Sequence, residues 1–307
     1  MHLVCLGVVR RMLQFLKKGD RVVRLCSRQI LNISENLLEL RKYIPSEFAR
    51  RPRGLIELDR WKATEFRQFL LYTGQVTLKS ILKPDLYKHF LTLSVAVTIL
   101  LSHDKDKRVQ YLEYAQKLLE HYVRHCQKFY GDNFVVYNVH NLLHLADDVR
   151  FFNLSLDEIS AFSFENFFQT LKKYVRTPKN PLVQVAKRIE ESENIEHIRK
   201  GNIKLKQREW RLSTLPRDSI VLLKNNTYAQ IIEVRTNGYF CCLFDCSYLQ
   251  PFFIEPCSSA LVGIYYSENR HKHTKTKLVT NEDIAKKGLK LPCEDGYVLM
   301  PFLHCNE

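Results

Sequence analysis

The hydrophobic pattern of this chain changes near residue 216, and that change constrains the fold more than any other feature. Before it, apolar residues recur three and four positions apart, as they do in amphipathic helices. After Pro216 the apolar runs are short and are separated by turn-forming pairs such as Asn237-Gly238, which is typical of β-strands. We therefore predict a mainly helical region over residues 1–198, a basic linker over 199–215 and a small β-rich, barrel-like domain over 216–307, which we expect to fold independently.

The same pattern predicts where individual elements lie. Helices are expected at residues 1–18, 27–43, 58–72, 86–102, 107–130, 139–152, 163–176 and 182–200. Strands are expected at residues 219–223, 229–234, 239–244, 260–266 and 297–303. No run of eighteen apolar residues occurs in the sequence, so we expect no membrane partner.

The net charge of +14 is unevenly distributed along the chain. Residues 212–307 contain ten Lys or Arg and ten Asp or Glu, so residues 1–211 contain the other 37 basic and 23 acidic side chains. This excess predicts a polyanion partner, and we expect non-specific DNA binding through residues 1–211, although a membrane surface or an acidic protein would satisfy the same charge. The candidate DNA contacts are Lys62, Arg67, Lys172, Lys173, Arg176, Lys204, Lys206 and Arg208.

The cysteines indicate a reducing, intracellular environment. There are nine of them at irregular spacing and without a CxxC motif, which does not suit a disulfide framework. Several lie in the last third of the chain near His271, His273 and His304, so a zinc site there is an alternative to buried strand cysteines.

Residues 163–176 carry the most informative helix. Its apolar residues at 164, 167, 168, 171, 174 and 175 predict a stripe that packs on a core, with Ser163 as N-cap. Beside the stripe, Glu165 shares a flank with Lys172 and Arg176. An acid next to phosphate-binding bases suits metal-dependent phosphoryl chemistry, whereas a Glu in a first turn can also simply complement the helix dipole.

Two further groups of residues have both a functional and a structural interpretation. His140, His144 and Asp147 share one helix face at metal-ligand spacing, but residue 141 is Asn, so the HExxH glutamate is absent and a hydrogen-bonded structural pair is the alternative. Trp61 can stack on an extruded base or belong to the core, and for a tryptophan in an apolar stripe we favour the core.

Three blocks resemble one known family, in the order in which that family has them. Residues 1–13 (MHLVCLGVVRRML) resemble the segment of CACTA-type (En/Spm-like) DNA transposases that begins Asp-x-Met-His. Residues 58–67 (LDRWKATEFR) resemble their central helical region. Residues 138–148 (NVHNLLHLADD), followed by 160–167 (SAFSFENF), resemble the segment that carries the last catalytic acid. The resemblance extends over roughly residues 1 to 200 and is fainter beyond.

The resemblance implies a ribonuclease H-like core in which two Asp and one Glu hold two Mg²⁺ or Mn²⁺ ions. Glu165 matches the third acid and His2 matches the histidine after the second. The second Asp would stand two positions before Met1 and the first farther upstream, so both are absent here, as are the leading strands of the fold. Residues 1–198 then correspond to the helical insertion and the last catalytic helix. Because one carboxylate cannot hold two ions, we expect this chain to bind none and to be inactive by itself.

Several functions are compatible with this interpretation. The chain can be the C-terminal portion of a nuclear DNA transposase. It can instead be a domesticated, non-enzymatic chromatin or protein-interaction module, with a protein partner for the β domain, or a remnant without a function. The resemblance also makes a geometric prediction: the Glu165 carboxylate should face solvent beside His2, a contact that a dipole-complementing Glu does not require.

Overall fold

A computed structural model describes residues 1–199, 210–270 and 275–303. Ten α-helices occupy the first part of these residues: α1 Arg10–Lys18, α2 Ser27–Leu40, α3 Ala63–Gln68, α4 Gly74–Thr77, α5 Pro84–Leu100, α6 Lys105–Tyr130, α7 Tyr137–His140, α8 Leu145–Phe152, α9 Phe162–Tyr174 and α10 Pro181–Arg199. Two π-helical segments, Leu3–Val9 and Phe69–Thr73, precede α1 and follow α3. Short 3-10 segments at Arg41–Tyr43, Leu55–Arg60, Asp132–Phe134 and Asn141–His144 complete this region.

Helices α5 and α6 form the centre of the helical region. Helix α5 starts with Pro84 at its first turn, where the missing N–H costs nothing, and it is buried on nearly all sides. Helix α6 is capped at its N-terminus by Asp104, whose carboxylate accepts a hydrogen bond from the Lys107 amide at 3.1 Å. It ends at Gly131, whose φ of +90° favours glycine. Because α5 is buried on nearly all sides, its apolar run lies in the middle of the helical core.

Eight antiparallel strands follow, at β1 Ile220–Leu223, β2 Tyr228–Arg235, β3 Gly238–Leu243, β4 Gln250–Pro251, β5 Tyr265–Glu268, β6 Thr276–Val279, β7 Ile284–Cys293 and β8 Gly296–Pro301. They form one sheet in the order β4-β5-β8-β7-β1-β2-β3-β6. This confirms the predicted helical region followed by a β-rich region. The order has β4 and β6 as its two ends, so over the described residues the sheet is not the closed barrel that we expected.

Strand β7, the longest in the sheet, was not predicted from the sequence. It contains Lys286, Lys287, Gly288 and Pro292, which disfavour a strand assignment, yet it pairs with both β1 and β8. Residues 260–262, the start of the strand predicted at 260–266, instead belong to a 3-10 turn, Ser259–Val262, before β5. Both differences arise because tertiary contacts override local propensity.

The helical and β-rich regions share one continuous hydrophobic core. Phe302, after β8, lies 5.3 Å from Phe48 between ring centroids and also stacks on Tyr72. Trp210 packs on the same Phe302 ring at 5.5 Å. Two smaller clusters lie within the β-rich region itself, so the independent folding of that region stays a prediction.

Helices α9 and α10 pack mainly on each other. Their apolar stripe is exposed, with 68% of Phe164, 53% of Phe167 and 59% of Phe168 accessible to solvent. The prediction that this stripe packs on a core is therefore wrong, because three-and-four spacing predicts an apolar face but not a partner for it. Within the described parts of the chain, no helix is both long and apolar enough to cross a membrane.

Candidate functional site

His2 and Glu165 meet at the surface of the helical region. The Nε2 atom of His2 lies 3.2 Å from Oε1 of Glu165, and 58% of the Glu165 side chain is exposed. The His2 ring also packs edge-on against Phe162, with ring centroids 4.7 Å apart. The structure therefore confirms the predicted contact between the two ends of the helical region and the solvent-facing position of the carboxylate.

The helix that follows His2 is held tightly in place. Val4, Cys5, Val8 and Val9 of the π-helical segment are fully buried. Gly7 permits a close approach to α7, because a Cβ atom on Gly7 would lie only 2.8 Å from the Cβ of Asn138. Burial raises the pKa of the Cys5 thiol to about 12, so this cysteine is a packing residue and not a nucleophile.

The loop before α9 positions Glu165 from the other side. The Leu156 amide donates to the Leu100 carbonyl oxygen at 2.9 Å, which ties the loop to the end of α5. The Ser155 amide donates to the Glu158 carboxylate at 2.7 Å, and hydrogen bonds from Ser155 lower the pKa of Glu158. Helix α9 then starts at Phe162, which packs against the core. The start of α9 is thus fixed, whereas the rest of the helix projects away.

A buried ion pair was not foreseen from the sequence. The Arg67 guanidinium pairs with the Asp157 carboxylate, and Arg67 is only 7% exposed. The prediction that Arg67 contacts DNA does not fit this position, because a buried and paired guanidinium does not reach a phosphate. The helical spacing around Arg67 gave no signal for this pair, since its partner lies far along the chain.

The exposed cations include other predicted DNA contacts. Lys62, Lys172, Lys173 and Arg176 are all exposed; Lys172 and Lys173 lie in the last turn of α9, and Arg176 lies two residues after its end. The Arg176 amide donates to the Gln184 side-chain oxygen at 3.0 Å, which joins this end to α10. The other predicted contacts, Lys204, Lys206 and Arg208, lie outside the described residues.

A groove of about 450 Å³ runs between α9 and α10. Its lining combines apolar side chains with one acid and one cation: Glu165, Phe168, Leu171, Lys172, Val175 and Val185. Glu165 therefore borders both His2 and the groove. The groove lies between two helices joined by a short loop, because Pro181 starts α10 soon after α9 ends.

The residues present do not fit a two-ion site. Glu165 is a single carboxylate, its neighbour is an imidazole, and Mg²⁺ requires several oxygen ligands. Over residues 1–199, 210–270 and 275–303, no group of three or more His, Cys, Asp or Glu side chains could hold a metal ion. The alternative zinc ligands His271, His273 and His304 are outside the described residues.

The second predicted metal group does not converge on one point. The rings of His140 and His144 lie edge to face, with centroids 5.7 Å apart. The Asp147 carboxylate is instead bound by Arg150. Trp61 is buried against Phe66 and Phe69, which agrees with its interpretation as a core residue.

A larger cavity, of about 590 Å³, lies between the start of α6 and the β-rich region. His103, Lys107, Tyr111, Tyr265 and Lys286 contribute to its lining. Burial lowers the pKa of the His103 imidazole below its ordinary value. No sequence motif indicated this cavity, because its walls come from segments that are distant along the chain.

Comparison with known proteins covers only the second half of the molecule. Residues 191–302 match a family described as Domain of unknown function (DUF8592), a match that runs from α10 through β8. Neither a curated protein nor a solved structure matches the chain. The match extends over less than half of the chain and does not include His2 or Glu165.

Proposed function

We propose that this chain is a transposase-derived nucleic-acid-binding protein. In this proposal residues 1–198 correspond to the helical insertion and last catalytic helix of a DDE-type transposase, and the protein acts in the nucleus. The observation that carries the proposal is the contact of His2 with Glu165, which the resemblance to CACTA-type transposases requires. A glutamate that only complements its helix dipole has no reason to contact residue 2.

The proposed partner is DNA, bound mainly through its phosphates. Support comes from the charge excess of residues 1–211 and from the exposed Lys172, Lys173 and Arg176 close to the groove at Glu165. Such contacts are sequence-independent and weaken with salt. The exposed Lys62 adds to the same positive electrostatic potential.

The chemistry of Glu165 depends on groups that these residues do not supply. Metal-dependent phosphoryl chemistry, which the resemblance implies, needs further carboxylates beside Glu165, and the residues around Glu165 do not fit a metal ion. Within this chain, His2 Nε2 holds the Glu165 carboxylate in orientation. By itself the chain is proposed to bind DNA and not to cleave it.

Binding of the full chain to a fluorescein-labelled duplex, measured at two or more salt concentrations, tests this function. We expect affinity that falls linearly on a logarithmic scale with salt, with a slope that reflects several phosphate contacts. A matched single change, Lys172→Gln, should reduce that slope by about 0.9. Absence of binding, or binding that does not respond to salt, would refute the proposal.

A non-enzymatic interaction module is the second candidate. Three apolar side chains on strands β2 and β6 are at least two-fifths exposed, which suits a protein partner at this end of the sheet: Ile232, Val234 and Leu278.

The transposase-derived protein and the interaction module are distinguished by the sequence before Met1. An in-frame Asp two positions upstream, and another farther back, would favour the transposase, and their absence from the genomic frame would favour the module.

A further inference from the structure

We propose that the groove between α9 and α10 binds unpaired nucleotides, with bases stacked on Phe164 and Phe168 and phosphates held by Lys172 and Arg176. The inference rests on the proposed nucleic-acid-binding function and adds a preference for single-stranded over duplex DNA. It assigns a ligand to an apolar helix face that has no partner among the described residues.

The arrangement of side chains along α9 carries the argument. Phe164, Phe168 and Lys172 are spaced four residues apart on α9, which puts neighbouring members of the set about 6 Å apart along one ridge of the helix, and Arg176 follows two residues after the helix ends. The first two positions are exposed rings and the last two are exposed cations. A stacking surface followed by positive charge is what single-stranded nucleic acids require.

The groove places the two kinds of group side by side. Phe168 and Lys172 both line it, together with the apolar side chains of Leu171, Val175 and Val185. A planar base fits an aromatic and aliphatic surface of this kind, whereas a duplex keeps its bases stacked inside and offers only phosphates. The exposed rings therefore distinguish single strands from duplexes.

Charge favours phosphates at one end of the groove. Glu165 lines the groove at the end near Phe164 and repels phosphates, while Lys172, Lys173 and Arg176 attract them at the other end. Lys179, also exposed, extends the positive end. A strand bound in this way would bring an unpaired nucleotide next to the His2 and Glu165 pair.

Fluorescence anisotropy with three labelled probes of equal length tests the proposal: oligothymidine, an abasic strand and a duplex. The abasic strand has the same phosphates without bases, so it isolates stacking from charge. We expect the full chain to bind oligothymidine at least about tenfold more tightly than the abasic strand, because each stacked base contributes roughly that factor.

Two variants then assign the contacts. Phe164→Ala combined with Phe168→Ala should abolish the preference for oligothymidine and leave duplex binding unchanged, while the control Phe151→Ala, an 83% exposed ring on α8, should keep the preference. Lys172→Gln combined with Arg176→Gln should lower the salt slope for oligothymidine by about 1.4, since each cation contributes about 0.7 with single strands. Unchanged thermal melting would show that the variants are folded.

Equal affinity of the wild-type chain for oligothymidine and the abasic strand would overturn this inference while leaving duplex binding, and hence the proposed function, intact. No binding to any probe would overturn both. Sedimentation velocity provides a further check: a concentration-dependent dimer that disappears in the double phenylalanine variant would assign the groove to a second copy of the chain and overturn the proposal.

Discussion

The ammonium group of Lys287, in strand β7, lies 2.7 Å from a carboxylate oxygen of Glu47 in the helical region. Lys287 is fully buried and also donates to Asp218 Oδ1 and to the Arg211 carbonyl oxygen, each at 2.6 Å. Burial alone would raise the pKa of Asp218, but hydrogen bonds from Lys287 and Ser46 outweigh it and hold that pKa below its ordinary value. This network joins the two regions through charges as well as apolar contacts.

Lys287→Met should therefore destabilise the whole protein. It removes the buried cation that Asp218 and Glu47 share and leaves Asp218 with only the half-exposed Arg217, and loss of one partner in a buried ion pair lowers the free energy of unfolding by about 3–5 kcal/mol. Urea unfolding, followed by circular dichroism, measures the change. Lys277→Met, an exposed lysine on β6, is the control and should stay within about 0.5 kcal/mol. Equal effects of the two substitutions would contradict a structural role for the network.

His89 should make stability depend on pH. Burial lowers the pKa of this imidazole from 6.5 to about 4, and its ring stacks on Tyr122 with centroids 4.2 Å apart. Because the folded pKa lies below the unfolded one, the full stability is present above pH 6.5 and is lost as the pH falls toward 4. The loss amounts to about 1.4 kcal/mol per pH unit within that window.

Urea unfolding at about pH 7, 6 and 5, which spans the window between the two pKa values, checks this dependence. His89→Gln removes the titrating group, so its free energy of unfolding should vary less across that range than that of the wild type. The variant is expected to be less stable near neutral pH, because the buried ring is lost. The two proteins are therefore compared by how steeply their free energy of unfolding changes with pH, and not by its absolute value. If the free energy of unfolding changed equally with pH in both proteins, His89 would not be the source of the pH dependence.

Gly7→Ala should destabilise the start of the helical region. The added Cβ would lie 2.8 Å from the Asn138 Cβ, so α7 or the π-helical segment must shift, at a cost of about 1–3 kcal/mol. Adding Asn138→Gly removes the opposing atoms and should recover part of the loss. A double-mutant cycle of unfolding free energies measures the coupling, and simple additivity would mean that the two residues do not clash.

Glu165→Gln should leave stability nearly unchanged. The side chain is more than half exposed, so the effect is expected within about 0.5 kcal/mol, and Glu190→Gln on α10 provides an exposed comparison. The wild-type chain should not cleave or join DNA with Mg²⁺ or Mn²⁺, since one carboxylate is too few. If a longer protein carries an Asp two positions before Met1 and another farther upstream, the same substitution should abolish its cleavage. Metal-dependent cleavage by the present chain would refute the assignment.

Much of the layout was readable from periodicity. The long helices α5 and α6 agree with their predicted spans, because burial of an apolar face leaves a regular spacing in the sequence. The contact of His2 with Glu165 was also predicted, though through resemblance and not through periodicity. Trp61 was correctly favoured as a core residue.

Other features depended on tertiary structure alone. Strand β7 carries a lysine that a local pattern assigns to the surface, and only the convergence of Glu47 and Asp218 makes its burial possible. Arg67 belongs to the interior for the same reason, because Asp157 meets it there. In α9 an apolar stripe, whose spacing predicts burial, is exposed. A sequence determines which face of an element is apolar or charged, whereas the partner of that face is decided by which distant segments the fold brings against it.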